Sequence, residues 1–126
     1  MRIIRGKELA FIPASHELPD EPGSLKKVLW RREDLLAGRV QMINWAKMPV
    51  GKEFRAHYHE DMEEVFIVVS GRAEIKIGKE RAVLERGDAV VIPMQVVHWM
   101  RNVGKREVEY IALGISAAGK GKTVVR

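Results

Sequence analysis

The chain has 126 residues, 46% of them hydrophobic and 31% charged, the composition of one globular domain with a single core. It contains no cysteine, which excludes disulfides, a thiolate nucleophile and thiolate metal ligands. The formal net charge of +5 would suit nucleic acid or anionic substrates, but the basic residues are scattered, so solvated charge and no nucleic-acid partner are expected.

The opening Met-Arg-Ile-Ile-Arg-Gly-Lys-Glu has no apolar h-region, and no apolar run approaches the ~18 residues of a membrane span. A cytoplasmic protein without a membrane partner is the expectation. Lys, Arg and Glu are abundant, whereas Asn and Gln are confined to Asn44, Asn102, Gln41 and Gln95, a usage similar to that of thermophiles.

In chain order, Ile3-Ile4 and residues 9–12 are short apolar pieces suited to edge strands. Residues 13–23 carry Pro13, Pro19 and Pro22 and read as a loop. His16 falls in it. A lone loop histidine is most often solvent-exposed, and it is left out of the candidate site. Residues 24–36 are ambiguous: Leu25, Val28, Leu29 and Leu36 lie near one helical face behind a possible Ser24 N-cap, yet the same residues alternate as a strand. Further strands are expected at 40–48, 54–59, 64–70, 73–77, 81–85, 89–92, 98–102 and 107–113. Turn signals separate them at Gly71, Gly78, Gly87, Pro93 and Gly104. Many short strands at even spacing indicate a sandwich or barrel. Residues 117–126 read as a flexible tail.

The most informative stretch is 51–71. It packs His57, His59, Glu63 and Glu64 into eight residues ahead of the apolar run 65–69. Histidines two apart on a strand share a face, about 7 Å apart at ~3.3 Å per residue, so both rings can reach one ion. A tight turn through Glu60-Asp61-Met62 would return Glu64 beside them. Taken alone, a His-x-His pair is weak, and two glutamates near a turn are usually a solvated surface. A second stretch, 87–102, raises its weight: Gly87-x5-Pro93-x4-His98-x3-Asn102 follows Gly51-x5-His57-x-His59-x4-Glu64-x6-Gly71.

Together these stretches resemble the two sequence motifs of the cupin superfamily. One position departs from the pattern: Gln95 stands where the second motif usually has glycine. The resemblance implies an all-β fold, a cupin-type double-stranded β-helix (jelly-roll barrel), as one domain over 1–126. It takes residues 25–30 as a strand. It also implies that His57, His59, Glu64 and His98 ligate one metal. Three imidazoles and a carboxylate suit a divalent transition ion: Fe, Mn, Ni, Co, Cu or Zn. Four protein ligands on an octahedral ion leave two positions for water, substrate or O₂. Glu63 is the rival carboxylate, but the spacing to Gly71 favours Glu64, and the two cannot share a strand face.

Three neighbours are candidates for contacting a substrate. Arg55 shares parity with His57 and, facing inward, would favour an anion; the alternative is an arginine in solvent at the barrel mouth. Met100 shares parity with His98 and is otherwise core wall. Gln95 either changes the turn or brings an amide to the pocket mouth. If Glu64 points inward, Val65, Ile67 and Val69 point outward and are just as apolar, so the N-terminal segment or a second subunit should cover them; a homodimer is expected. The functions to weigh are a metal-dependent enzyme of dioxygenase, decarboxylase or isomerase type acting on a small polar or carboxylate-bearing ligand, and a non-enzymatic small-molecule or metal-binding protein.

Overall fold

Alternating apolar and polar residues are drawn out into short strands that close on each other face to face. A computed structural model describes residues 1–36, 38–116 and 123–126. Its strands are β1 (Ile12–Pro13), β2 (Leu25–Arg31), β3 (Val40–Met48), β4 (His57–His59), β5 (Met62–Ser70), β6 (Ala73–Ile77), β7 (Glu80–Leu84), β8 (Ala89–Ile92), β9 (His98–Asn102), β10 (Val108–Ser116) and β11 (Thr123–Val125). They form two antiparallel sheets, ordered β1-β2-β3-β10-β5-β8 and β11-β4-β9-β6-β7. This is the double-stranded β-helix. Among the described residues no helix is long and apolar enough to cross a membrane.

The core lies between the sheets, where inward positions such as Met48, Phe54, Phe66, Ile75 and Met100 are nearly inaccessible to solvent. Burial follows strand parity closely: on β5, Met62, Glu64, Phe66 and Val68 are buried, while Glu63 and Ile67 are exposed. Gly71 ends β5 at φ +86°, and a side chain there would put Cβ 2.6 Å from the Glu107 carbonyl oxygen, so only glycine makes this turn. Asn102 ends β9 by donating to the carbonyls of Met48 (3.1 Å) and Arg106 (2.8 Å) and accepting from the Gly104 amide (2.9 Å).

Several sequence expectations need correction. Ile3-Ile4 forms no strand; Gly6–Glu8 is a 3₁₀ turn, and only Ile12–Pro13 pairs, with β2. The strand that the resemblance implied at 25–30 is present as β2, Leu25–Arg31. Its helix-like spacing has a specific origin: Val28 pairs with Asn44 and Trp30 with Ile43, so Leu29 is an extra residue in a β-bulge, and the alternation breaks there. The expected strand at 54–59 is shorter: Phe54 donates to the Met100 carbonyl (3.1 Å) from outside the ladder, and pairing resumes at β4. The tail expected at 117–126 is not one at its end: Thr123–Val125 pairs with His57–His59 and fills the free edge of β4. Residues 117–122 of that tail lie outside the described residues. Trp45 projects from the face of β3 opposite the buried Asn44, Ala46 and Met48 and donates its indole N–H to Glu109 (3.1 Å).

The outer face of the larger sheet remains apolar. Val65 and Val69 are half-buried, and Ile67 and the neighbouring Val91 are exposed.

Candidate metal centre

Two strands of one sheet and one of the other bring four donors to a point. His57 and His59 face inward from β4, and His98 lies directly across from His57 in the β4–β9 pairing. Glu64 arrives from the opposite sheet, because the chain turns at Glu60-Asp61 and re-enters as β5 with Glu64 at an inward position. All four side chains are buried, and one ligand atom from each lies within 4.8 Å of the others. Opposite ligands on an ion with bonds of about 2.1 Å sit about 4 Å apart, so the set closes on one ion with shifts of a few tenths of an ångström.

Hydrogen bonds orient the rings. His57 Nδ1 lies 2.6 Å from the Arg55 carbonyl oxygen, and His98 Nδ1 lies 3.1 Å from that of Val96. A carbonyl only accepts, so both rings carry the proton on Nδ1 and turn the Nε2 lone pair inward. His98 Nε2 is buried with no hydrogen-bond partner, 3.7 Å from Glu64 Oε1. A buried acceptor without a donor is costly, and an ion would satisfy it. The residues therefore fit the metal that the donor set suggests. His59 spans the centre: Nε2 lies 2.5 Å from Glu64 Oε1 and Nδ1 2.9 Å from Thr123 Oγ1. When Nε2 turns its lone pair to an ion, Nδ1–H donates to Thr123, the outer hydrogen bond that metal-bound histidines usually make.

The electrostatics favour the ligating forms. Burial and then the neighbouring His98 lower the His57 pKa to about 4, so the ring is neutral at pH 7. For Glu64, burial works against the charge, but the close imidazoles of His59 and His98 outweigh it and hold the pKa at about 2.

His16 is the residue that sequence reasoning missed. It lies stacked on His57, ring centroids 4.0 Å apart and 19° between planes, with an edge-to-face contact to Phe54. All four histidines of the chain therefore meet at one place. His16 Nε2 is buried without a hydrogen-bond partner, 4.0 Å from Glu17 Oε1, whose side chain is also buried. Burial and then the approach of His57 push the His16 pKa down to about 3. Burial pushes the Glu17 carboxyl up, against the backbone amides of Arg55, Ser24 and Gly23, which favour its anion. A loop has no period to reveal which side chains turn inward. The only available signal was the count: three of four histidines already belonged to the motifs.

The candidate substrate contacts fall elsewhere. Arg55 is exposed, because the chain at that point lies outside β4 and strand parity does not govern it; only its carbonyl serves the site. Met100 is completely buried in the apolar core and does not reach the cavity. Gln95 keeps the backbone that the pattern's glycine would take, φ 62°, and its amide turns toward the Glu60 carbonyl (3.4 Å) in a separate surface depression with Tyr58 and Arg126. Glu63, the rival carboxylate, is exposed.

The centre opens on a cavity of about 320 Å³ bounded by His59, Glu64 and Phe66 at one end and Lys26 and Arg31 at the other, with Asn44 between them. Its wall includes the buried hydroxyl pair Ser24–Tyr110, 2.7 Å apart.

The cupin-domain family profile matches residues 44–114, more than half of the chain, and the chain belongs to that family. It is 28% identical over 71 residues to an uncharacterized protein of Methanocaldococcus jannaschii (56% of this chain, 57% of the other). It is 35% identical over 66 residues to the polyketide synthase CurC of Streptomyces cyaneus (52% and 43%). The match thus spans about half the length of these relatives. Among solved structures, the fold superposes on one described as a predicted oxalate decarboxylase from Thermotoga maritima with a TM-score of 0.80 at 19% identity, covering 91% of this chain and 99% of the other. It superposes on KdgF from Halomonas sp. at 0.73 and 22% identity, covering 91% and 94%. At such identities the likeness is one of fold.

Proposed function

We propose that this cupin binds one divalent transition metal through His57, His59, Glu64 and His98 and is a metal-dependent enzyme acting on a small polar or carboxylate-bearing molecule. The observation that carries the proposal is the buried, unpartnered Nε2 of His98, 3.7 Å from Glu64, which with His59 lines the end of a cavity. When bound there, the ion would supply Lewis acidity toward a carbonyl or carboxylate oxygen. The chain's own part is to hold three neutral imidazoles and one carboxylate in place, exclude water with Phe54 and Phe66, and fix His59 through Thr123. Decarboxylation, dioxygenation and isomerisation of a small acid or sugar are the reaction types that such a site serves.

The test is metal analysis of purified protein, followed by O₂-uptake, decarboxylation and isomerisation screens on small acids and sugars. Near-stoichiometric metal with turnover supports the proposal. Metal without turnover on any of them favours a non-enzymatic binding protein, and protein that takes up no divalent ion refutes both. We propose further that two copies pair through the apolar outer face around Ile67 and Val91.

A further inference from the structure

The bulge at Leu29 has a consequence for the cavity. Without the extra residue, Arg31 would lie on the face opposite Lys26 and Val28; with it, Arg31 joins them on the inner face. The registers then run straight across the sheet. Arg31 pairs with Met42, Met42 with Gly114, and Gly114 with Glu64. In the neighbouring row, Val28 pairs with Asn44, Asn44 with Ala112, and Ala112 with Phe66. The cavity floor therefore runs from a cationic end to the histidine–carboxylate end over three strand spacings, about 14 Å at ~4.8 Å each.

Among the described residues no carboxylate pairs with the side chains of Lys26 or Arg31 at the cationic end. Lys26 is half-buried and donates to the neutral Ser15 hydroxyl (2.7 Å). The acids lining the cavity are Glu64, which serves the metal centre, and Glu33 beside Arg32 on the exposed rim. Between the two ends, Asn44 is 6% exposed, and its Oδ1 is buried without a hydrogen-bond partner. Lys26 and Arg31 on the inner face and Arg32 on the rim, all without an ion pair among the described residues, and one buried acceptor without a donor describe a ligand by its complement.

We infer that the substrate is a short-chain acid whose far end is a second anionic group, carboxylate or phosphate, held by Lys26 and Arg31, with a hydroxyl along its length donating to Asn44. This rests on the metal-centre reading for the near end only. A cavity of about 320 Å³ lies at the small end of ligand sites, which run from about 300 to 1,000 Å³. With the arginine's reach subtracted from the row, a ligand touching both ends has only a few carbons.

The experiment is calorimetry on the full chain, zinc-loaded and metal-free, with three probes that share a 2-hydroxy-acid or glyceryl acid end: lactate, malate and 3-phosphoglycerate. Malate or 3-phosphoglycerate should bind at least tenfold more tightly than lactate, and the better of the two identifies the far group as carboxylate or phosphate. Arg31→Gln, at an exposed position that folding tolerates, and Lys26→Met should each remove most of that preference while leaving lactate affinity and zinc content unchanged. Lys26→Arg should retain it. Equal affinity for all three probes would overturn the inference, as would a preference that survives in the Lys26→Met/Arg31→Gln double variant. If zinc fails to bind but the metal-free chain keeps the Lys26- and Arg31-dependent preference, the metal reading fails and the anion subsite stands.

Discussion

Lowering the pH from 7 to 5 should cost the metal-free protein about 4 kcal/mol through His16 and His57 alone. Both rings are held neutral in the folded chain, with pKa values of about 3 and about 4 against 6.5 when exposed. Across this window the unfolded chain therefore holds on average about 0.7 proton per ring more than the folded chain. The unfolded state binds more protons, so stability rises with pH in this window and is lost as pH falls; below about 4 the folded rings also charge and the loss levels off. At 1.36 kcal/mol per pH unit and proton, each histidine contributes about 2 kcal/mol. That is a large part of the roughly 5–15 kcal/mol of a typical domain. The assay is urea unfolding of chelator-treated protein at several pH values, comparing the wild type with His16→Phe, whose ring can keep the stacking on His57. The variant should lose about 2 kcal/mol of the difference between pH 7 and 5, and one proton of uptake on unfolding at pH 5. An unchanged pH dependence would mean that His16 is not buried neutral against His57, and the four-histidine cluster would be wrong.

Four further outcomes are expected. His98→Ala should reduce bound metal to traces by elemental analysis while far-UV circular dichroism keeps its β signature, because the core around it is apolar; undiminished metal would place the ion elsewhere. Thr123→Val, which removes the 2.9 Å partner of His59 Nδ1, should weaken metal binding by about 10–100-fold in competition titrations, and no change would remove Thr123 from the site. Gln95→Gly should raise stability by about 1 kcal/mol in urea unfolding, since φ 62° strains a side-chain-bearing residue; destabilisation would show that the Gln95 amide matters more than its backbone. Light scattering at micromolar concentration should give a dimer that Ile67→Lys converts to a monomer, and a monomeric wild type would refute pairing through that face.

The sequence by itself determined the barrel and the positions of the candidate ligands. Strand parity is a local rule and puts His57 and His59 on one face, the resemblance to the two cupin motifs implied Glu64 and His98 as their partners, and the convergence of all four follows once the strands pair. Glycine requirements are equally local, which is why position 95 keeps a positive φ even as glutamine. Three features were decided only in the folded chain. His16 sits in a loop without periodicity, and its stacking on His57 depends on where that loop is pinned, at Ala14 and Ser24. Thr123 reaches His59 because the three-residue strand β4 leaves an edge for a distant segment to fill, a non-local pairing that composition cannot disclose. Arg31 enters the cavity through a single bulged residue, and a one-residue shift reverses every later side chain on the strand. Ligand positions were legible because they lie on regular strands, whereas the residues around the cavity depend on a loop, an edge and an irregularity, which only long-range contacts settle.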